Sequence, residues 1–156
     1  MAVKPIPEGY HTVTPYLVVD DAAEALDYYT KAFGAKELAR MEAPDGRIGH
    51  AEIEIGDSRV MLSDPFPQAS TRTPKELGGT SASVFMYVED VDAVVKRAVD
   101  AGATVTMEVD DQFWGDRFGS ITDPFGHAWS IATHVEDVPP EEMAERAKAA
   151  MAAMSS

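Results

Sequence analysis

Cysteine is absent from the 156-residue chain, which excludes disulfides, thiolate metal sites and a cysteine nucleophile. Basic residues are few: 13 Lys and Arg stand against 27 Asp and Glu, for a formal net charge of -14. Nucleic-acid binding needs a basic stripe, and the sequence has none. No apolar run approaches membrane-spanning length, and residues 1–13 contain no signal-peptide core. We therefore expect a cytoplasmic protein that binds neither nucleic acid nor membrane.

The remaining composition is typical of one globular domain spanning residues 1–156. Hydrophobic residues make up 45% of the chain and charged residues 26%, and the length suffices for a sizeable core. The excess of acidic residues is best explained as a contribution to solubility. Electrostatic attraction of a cationic ligand is the alternative.

Two segments of the same helical pattern begin 69 residues apart, after Val19 and Val88. In the first, Asp20 or Asp21 is a plausible N-cap, apolar residues recur at helical spacing, and Gly34 ends the pattern. The second has the same pattern and ends at Gly102. Similarity at a fixed offset is the usual mark of an internal repeat.

Each helical segment follows one strand-like segment and precedes three more, which predicts the order β-α-β-β-β twice. The opening strands are expected at Thr12–Val19 and Ala82–Val88. The first module then covers about residues 12–64 and the second about 81–135. A linker rich in Pro, Ser, Thr and Gly spans about residues 65–80.

Five motifs resemble the vicinal oxygen chelate superfamily, in particular its PhnB-like branch: residues 14–17, 28–35, 50–58, 113–119 and 122–127. This superfamily includes glyoxalase I, extradiol dioxygenases and bleomycin-resistance proteins. The resemblance covers about residues 12–135. It implies an α+β fold in which two tandem βαβββ modules form a curled mixed sheet around a cavity for a small molecule.

The resemblance also implies where a metal would bind, because metal-dependent members take four ligands from the first and last strands of the two modules. The motifs align those positions with Thr14, Met61, Ser83 and Ser130, and the 69-residue offset relates the two pairs. Divalent ions prefer carboxylates and imidazoles, so these side chains are a poor ligand set. We expect no metal and no other cofactor at this site, and instead predict that these four residues line a ligand cavity.

His50 and Glu52 are the candidates for chemistry, because they alternate with apolar residues and so share one strand face with Glu54. Either could act as a general base or belong to a displaced metal site. A solvated polar sheet face would give the same pattern.

Aromatic residues are the other candidates for ligand contact. Tyr16 shares a strand face with Thr14, while Phe85 and Tyr87 share one with Ser83, so these aromatics line the cavity if those positions do. Ordinary core packing is the alternative. In the loop before a later strand, Trp114 could stack on a ligand, and Arg117 could pair with an anionic group or with Asp116.

The C-terminal residues, about 139–154, predict a helix, because Pro140 suits its first turn and acidic residues follow. Its apolar stripe should dock on the domain or on a second subunit; the stripe comprises Met143, Ala147, Ala150, Met151 and Met154. We therefore expect a homodimer.

Two functions follow from these features. The first is a metal-independent small-molecule binding protein of the glyoxalase/bleomycin-resistance type. The alternative is a glyoxalase-like lyase or isomerase in which His50 and Glu52 transfer protons, with or without a divalent metal.

Overall fold

The structure, a computed structural model, describes residues 2–155. Its elements follow the chain in the order β1 (Tyr16–Val18), α1 (Ala22–Phe33), β2 (Lys36–Glu42), β3 (Ile48–Ile55), β4 (Ser58–Ser63), α2 (Pro74–Leu77), β5 (Ser83–Tyr87), α3 (Val91–Asp100), β6 (Thr104–Asp111), β7 (Asp116–Thr122), β8 (Ala128–His134) and α4 (Pro140–Met154). This order confirms the α+β fold with two tandem βαβββ modules and a C-terminal helix. The linker between them contains α2 and a short 3-10 turn at Pro67–Ala69.

The modules form two separate four-stranded mixed sheets, ordered β1-β4-β3-β2 and β5-β8-β7-β6. In both, the first strand pairs parallel with the last, and the other pairs are antiparallel. Tyr16 pairs with Met61 and Phe85 with Ser130, so the repeat offset holds in the strand register itself. The sheets are not closed into a barrel, and each module contributes one open mixed sheet.

The N-terminal ends of α1 and α3 are satisfied by equivalent contacts. Asp21 accepts a hydrogen bond from the Glu24 amide, which makes it the N-cap of α1, and Asp90 does the same for the Ala93 amide of α3. Gly34 ends α1 with a left-handed φ of 67°. The prediction for β1 was too long, because only Tyr16–Val18 pairs with β4.

A second equivalent contact ties each helix to the end of its own sheet. Asp64 follows β4, and its buried carboxylate accepts hydrogen bonds from the amides of Ala22 and Ile48 at 2.9 and 2.7 Å. In the second module, Thr133 accepts from the Val91 amide at 2.9 Å. Each helix therefore begins at a fixed point above its sheet.

The two helices hold the modules together. α1 packs on the first sheet, α3 packs on the second, and α1 and α3 pack against each other. The Tyr28 hydroxyl donates to the Ala98 carbonyl at 3.0 Å, and the Phe33 and Trp129 rings lie 4.6 Å apart across the module boundary. Trp129 is buried on the helix side of its sheet, as its alternation with Ser130 predicts. The opposite face of each sheet is therefore directed away from the helices.

Asp123 anchors this boundary. Its buried carboxylate accepts four hydrogen bonds: from the Tyr29 hydroxyl at 2.6 Å, the Trp129 indole at 2.8 Å, and the amides of Phe125 and His127 at 2.9 and 3.0 Å. Burial, followed by the nearby Asp123 charge, raises the pKa of Tyr29, so its hydroxyl stays a donor. The carboxylate links a helix of one module to a turn and a strand of the other.

The rest of the domain covers only part of the apolar stripe on the C-terminal helix. Met143, Ala147 and Ala150 are half-buried, whereas Met151 and Met154 are 66% and 86% exposed. Docking of the remaining stripe on a second subunit stays a prediction. Within residues 2–155, no helix is long and apolar enough to cross a membrane.

Replacing Tyr29 by Phe should lower the free energy of unfolding by about 1–3 kcal/mol, because buried Asp123 loses its shortest hydrogen bond. Urea denaturation measures this change. Tyr10→Phe is the matched control: its buried hydroxyl has no hydrogen-bond partner within the described residues, so its loss should be neutral. Equal effects of the two substitutions would contradict the anchoring role of Asp123.

Candidate functional site

The outward face of the second sheet carries a connected group of aromatic side chains. The rings of Phe85 and Tyr87 lie 5.1 Å apart, and Phe85 lies 5.7 Å from Phe118 on β7. Trp114, from the loop between β6 and β7, lies 5.8 Å from Phe118 in an edge-on orientation, and Phe113 lies 5.1 Å from Trp114. We call these five residues the aromatic face. Phe85 and Tyr87 remain 48% and 63% exposed on it.

Asp116 organises one end of the aromatic face. Its buried carboxylate accepts hydrogen bonds from the Tyr87 hydroxyl and the Trp114 indole, both at 2.9 Å, and from His134 Nδ1 at 2.8 Å. His134 Nε2 in turn lies 2.7 Å from the Asp137 carboxylate. Because carboxylates only accept, both ring nitrogens of His134 donate when the imidazole is protonated.

The hydrogen bonds around Asp116 shift the pKa values of the residues that make them. Burial alone raises the pKa of Asp116, but hydrogen bonds from His134, Tyr87 and Trp114 outweigh it, and the pKa lies below its ordinary value. Hydrogen bonds to Asp137 and then to Asp116 raise the pKa of His134. The hydrogen bond to Asp116 also raises the pKa of Tyr87. The group is therefore an ionised carboxylate held between neutral donors and a histidine that favours its cationic form.

The outward face of the first sheet is polar in comparison. The Tyr16 hydroxyl lies 3.3 Å from His50 Nδ1, and His50 Nε2 lies 3.1 Å from Glu52 Oε2. A proton on Nε2 that donates to Glu52 leaves Nδ1 as the acceptor for Tyr16. His50 therefore presents a basic nitrogen to this face, next to a tyrosine that is 48% exposed.

The repeat relates the two outward faces. Tyr16 corresponds to Phe85. Glu52 pairs with Met61 where Ser120 pairs with Ser130, so His50, two residues before Glu52, corresponds to Phe118, two residues before Ser120. The Tyr16–His50 and Phe85–Phe118 ring pairs have the same 5.7 Å separation. One scaffold thus presents a tyrosine–histidine pair in one module and an aromatic pair in the other.

The four positions aligned with family metal ligands form two pairs in the structure. Ser83 and Ser130 are hydrogen-bonded through their hydroxyls at 3.4 Å. Met61 pairs in the β1–β4 register with Tyr16, two residues after Thr14. These side chains supply three neutral hydroxyls and a thioether, which do not fit a hard or borderline divalent ion. Within residues 2–155, no three His, Cys, Asp or Glu side chains form a possible metal site either.

A groove of about 1380 Å³ runs between the modules, along the free edge of β5. Its opposite wall is the β3–β4 turn at residues 55–60. Thr14, Phe85 and Tyr87 lie along it, together with His134. The described lining includes neither His50 nor Trp114, so one chain does not bring the polar and aromatic faces together in this groove.

Arg117 lies on the other face of β7 from Phe118. Its guanidinium pairs with Asp92 at the start of α3, with contacts of 2.7 and 2.9 Å, and with Asp111 at 3.2 Å. The expected alternative pair with Asp116 does not form. Arg117 therefore ties α3 to its sheet, away from the aromatic face.

Four members of the site were not among the sequence candidates: Phe113, Asp116, Phe118 and His134. A sequence signal for Asp116 and Phe118 exists, because Trp114, Asp116 and Phe118 alternate and so share a face. His134 belongs to the site through a contact 18 residues away in sequence, for which no local pattern gives a signal.

Comparisons with known proteins agree with the fold. A model of the glyoxalase/bleomycin resistance protein/dioxygenase superfamily matches residues 10–131. An uncharacterized protein of Mycobacterium tuberculosis is 48% identical over 134 residues, covering 84% of this chain and 79% of that protein. The crystal structure of TioX from Micromonospora sp. ML1 aligns with a TM-score of 0.63 at 28% identity, over 80% of this chain and 99% of that one. The PhnB protein from Bacillus cereus shares the fold, with a TM-score of 0.61 at 19% identity over 79% and 99%.

The stability of the protein should fall as the pH rises above neutrality. A raised histidine pKa contributes stability fully below the ordinary value of 6.5 and loses it as the pH rises through the folded-state pKa. Thermal unfolding between about pH 6 and pH 9 measures this loss. His134→Asn, which keeps one donor but does not titrate, should flatten the profile.

His11→Asn is the control for this experiment, because His11 is exposed and outside the Asp116 group. It should keep the wild-type profile. A wild-type profile that matches that of His134→Asn would show that His134 does not stabilise the site by its charge.

Proposed function

The chain belongs to the glyoxalase/bleomycin resistance protein/dioxygenase superfamily, and on that premise we propose that it is a metal-independent small-molecule binding protein. The ligand is a compact planar molecule that stacks on the aromatic face. The observation that carries this proposal is the exposure of Phe85 and Tyr87 beside the tethered Trp114.

The aromatic face has the properties of a binding surface rather than of a core. Exposed contiguous apolar area costs solvation free energy, and such area commonly marks an interaction site. Here the rings are held by a buried carboxylate and by each other, so little side-chain entropy is lost when a ligand binds. Aromatic walls with a few fixed polar groups are typical of small-molecule sites.

The side chains at the four family metal-ligand positions support a function that needs no metal ion. Thr14, Met61, Ser83 and Ser130 supply no negative charge to offset dehydration of a divalent ion. Hydroxyl groups suit hydrogen bonds to a ligand instead, and Ser83 lies on the same strand face as Phe85.

A second copy of the chain completes the site in this proposal. The helices between the sheets leave both outward faces exposed, and Met41 and Met107 on these sheets are also about half exposed or more. Pairing the polar face of one copy with the aromatic face of the other would enclose a cavity and remove this apolar area from water. A cytoplasmic location stays a prediction from composition.

A lyase or isomerase is the second candidate, supported by the contact between His50 and Glu52. Glu52 Oε2 can accept the Nε2 proton and leave Nδ1 as a base, and the Tyr16 hydroxyl beside Nδ1 lies where the proton donor of a substrate would bind. In that case the molecule that binds the aromatic face would be chemically converted, and conversion would depend on His50.

Titration with planar aromatic compounds should change the tryptophan fluorescence through Trp114, because Trp129 is buried in the module boundary. Proflavine and 1-hydroxy-2-naphthoate probe opposite charges, and methylglyoxal probes the glyoxalase-like alternative. Trp114→Phe should abolish the fluorescence response, and Phe85→Ala should weaken binding about tenfold through lost stacking. Phe66→Leu, in the linker, is the control and should bind like wild type.

An unchanged titration in Trp114→Phe would contradict the proposal. Conversion of methylglyoxal by the wild type, lost in His50→Gln, would favour the enzyme instead.

Metal analysis of protein purified without chelator should find no stoichiometric divalent ion. The reason is the neutral donor set at the family ligand positions. Met61→Glu is the positive control, since it adds one carboxylate to that set and should raise Mn²⁺ affinity. One tightly bound ion per wild-type chain would contradict the proposal.

The mass in solution should be twice the 16.9 kDa of one chain at micromolar concentration. Sedimentation equilibrium measures it. Tyr16→Glu and Phe85→Glu, which place charge on the two outward faces, should each favour the monomer, whereas Lys96→Glu, at an exposed position of α3, should not. A monomeric wild type would contradict closure by a second copy.

A further inference from the structure

The loop that carries Trp114 is short and closes on itself. The Gly115 amide donates to the Gln112 carbonyl at 3.2 Å, and the Gln112 amide donates to the Asp116 carbonyl at 2.8 Å. Phe113 and Trp114 lie at its tip, with their rings perpendicular. The bonds within the loop fix its turn, and the Asp116 carboxylate holds the Trp114 indole at 2.9 Å. Two further segments of the chain contact the loop tip through its backbone.

The segment after β8 makes the first of these contacts. The Gly115 carbonyl accepts hydrogen bonds from the amides of Val135 and Glu136 at 2.9 and 3.0 Å. Gly115 has a φ of 100°, and a side chain there would clash with the Glu136 carbonyl oxygen. Glycine is therefore required both for this backbone conformation and for the close approach of the two segments.

Arg146 on α4 makes the second contact. Its Nη1 donates to the Phe113 carbonyl at 3.2 Å, and the same guanidinium binds the Glu136 carboxylate in a two-point contact of 3.0 and 2.7 Å. Glu142, one turn before Arg146, accepts at 2.7 and 3.1 Å and orients the guanidinium. Hydrogen bonds to Glu136 and Glu142 raise the pKa of Arg146, so its charge is permanent.

An ion pair at the surface usually contributes little to stability. This one differs because the guanidinium also binds a backbone carbonyl beside Trp114, and because five hydrogen bonds use its planar fork. α4 itself buries no residue fully, so holding this loop is its best-defined contact with the domain.

We propose that Arg146 is a positioning residue for Trp114, and that α4 is a brace which pre-organises the aromatic face for its ligand. The effect of Arg146 on ligand binding rests on the proposed function. The positioning of Trp114 by α4 rests only on the contacts described above. Lys cannot replace Arg146, because one ammonium cannot bind Glu136 at two points and the Phe113 carbonyl together.

Acrylamide quenching tests the brace without any ligand. Trp129 is 1% exposed, so collisional quenching of the wild-type protein reports Trp114. Arg146→Lys should raise the quenching constant about twofold or more, because the loop tip is released. Arg40→Lys is the matched control: Arg40 also forms a two-point contact with a glutamate, Glu37, but on β2. It should leave quenching unchanged.

Proflavine affinity tests the consequence for binding. Arg146→Lys should weaken it about threefold to tenfold, the range of an ordinary hydrogen bond, because Lys keeps one contact and the Trp114 indole keeps its bond to Asp116. Thermal unfolding of both variants checks that the fold is kept. A second variant, Glu136→Gln, should reproduce both effects in weaker form, because it removes the two-point contact from the other side.

The outcomes separate the two proposals. An unchanged acrylamide quenching constant in Arg146→Lys overturns the brace, whether or not the proflavine affinity changes. Raised quenching with unchanged proflavine affinity overturns its role in binding. If the wild type binds none of the titration compounds, the proposed function fails, and quenching alone decides the brace.

Discussion

The buried carboxylate of Asp123 is the constraint on which the architecture depends. An ionised group away from water must have its hydrogen bonds satisfied, and here the donors come from both modules: a tyrosine of α1, the indole of Trp129 and two amides of the turn before β8. Satisfying them brings α1 against the second module, where it packs on α3. The helices thereby occupy the space between the sheets, and the outward faces are left for function.

The duplication gives those two faces a common frame and different chemistry. Register, helix caps and ring separations agree between modules, so the positions of Tyr16 and His50 are the positions of Phe85 and Phe118. The side chains differ: the first module has a histidine beside a carboxylate, and the second has a set of rings. A cavity with one basic wall and one aromatic wall follows if two copies place unlike faces together, and neither wall needs a metal ion.

Much of this fold could be predicted from the sequence, since strands, helices and turns leave local patterns. The 69-residue offset located Thr14, Met61, Ser83 and Ser130 as two related pairs, and the strand register preserves that relation. The pairing of Arg117 could not be predicted, because Asp92 lies 25 residues away and approaches only when α3 packs on its sheet. The hydrogen bonds of Asp116 could not be predicted for the same reason, because their donors come from β5, the β6–β7 loop and β8. The placement of the two sheets relative to each other could not be predicted, since module docking depends on tertiary contacts such as those of Asp123.

A crystal structure with the tightest-binding compound of the fluorescence titration tests whether a second copy completes the site. We expect ligand density stacked on Phe85 and Phe118 beneath Trp114, with His50 and Glu52 of a second copy on its other side. Density in the groove between the modules of one chain, with the aromatic face exposed to solvent, would contradict it.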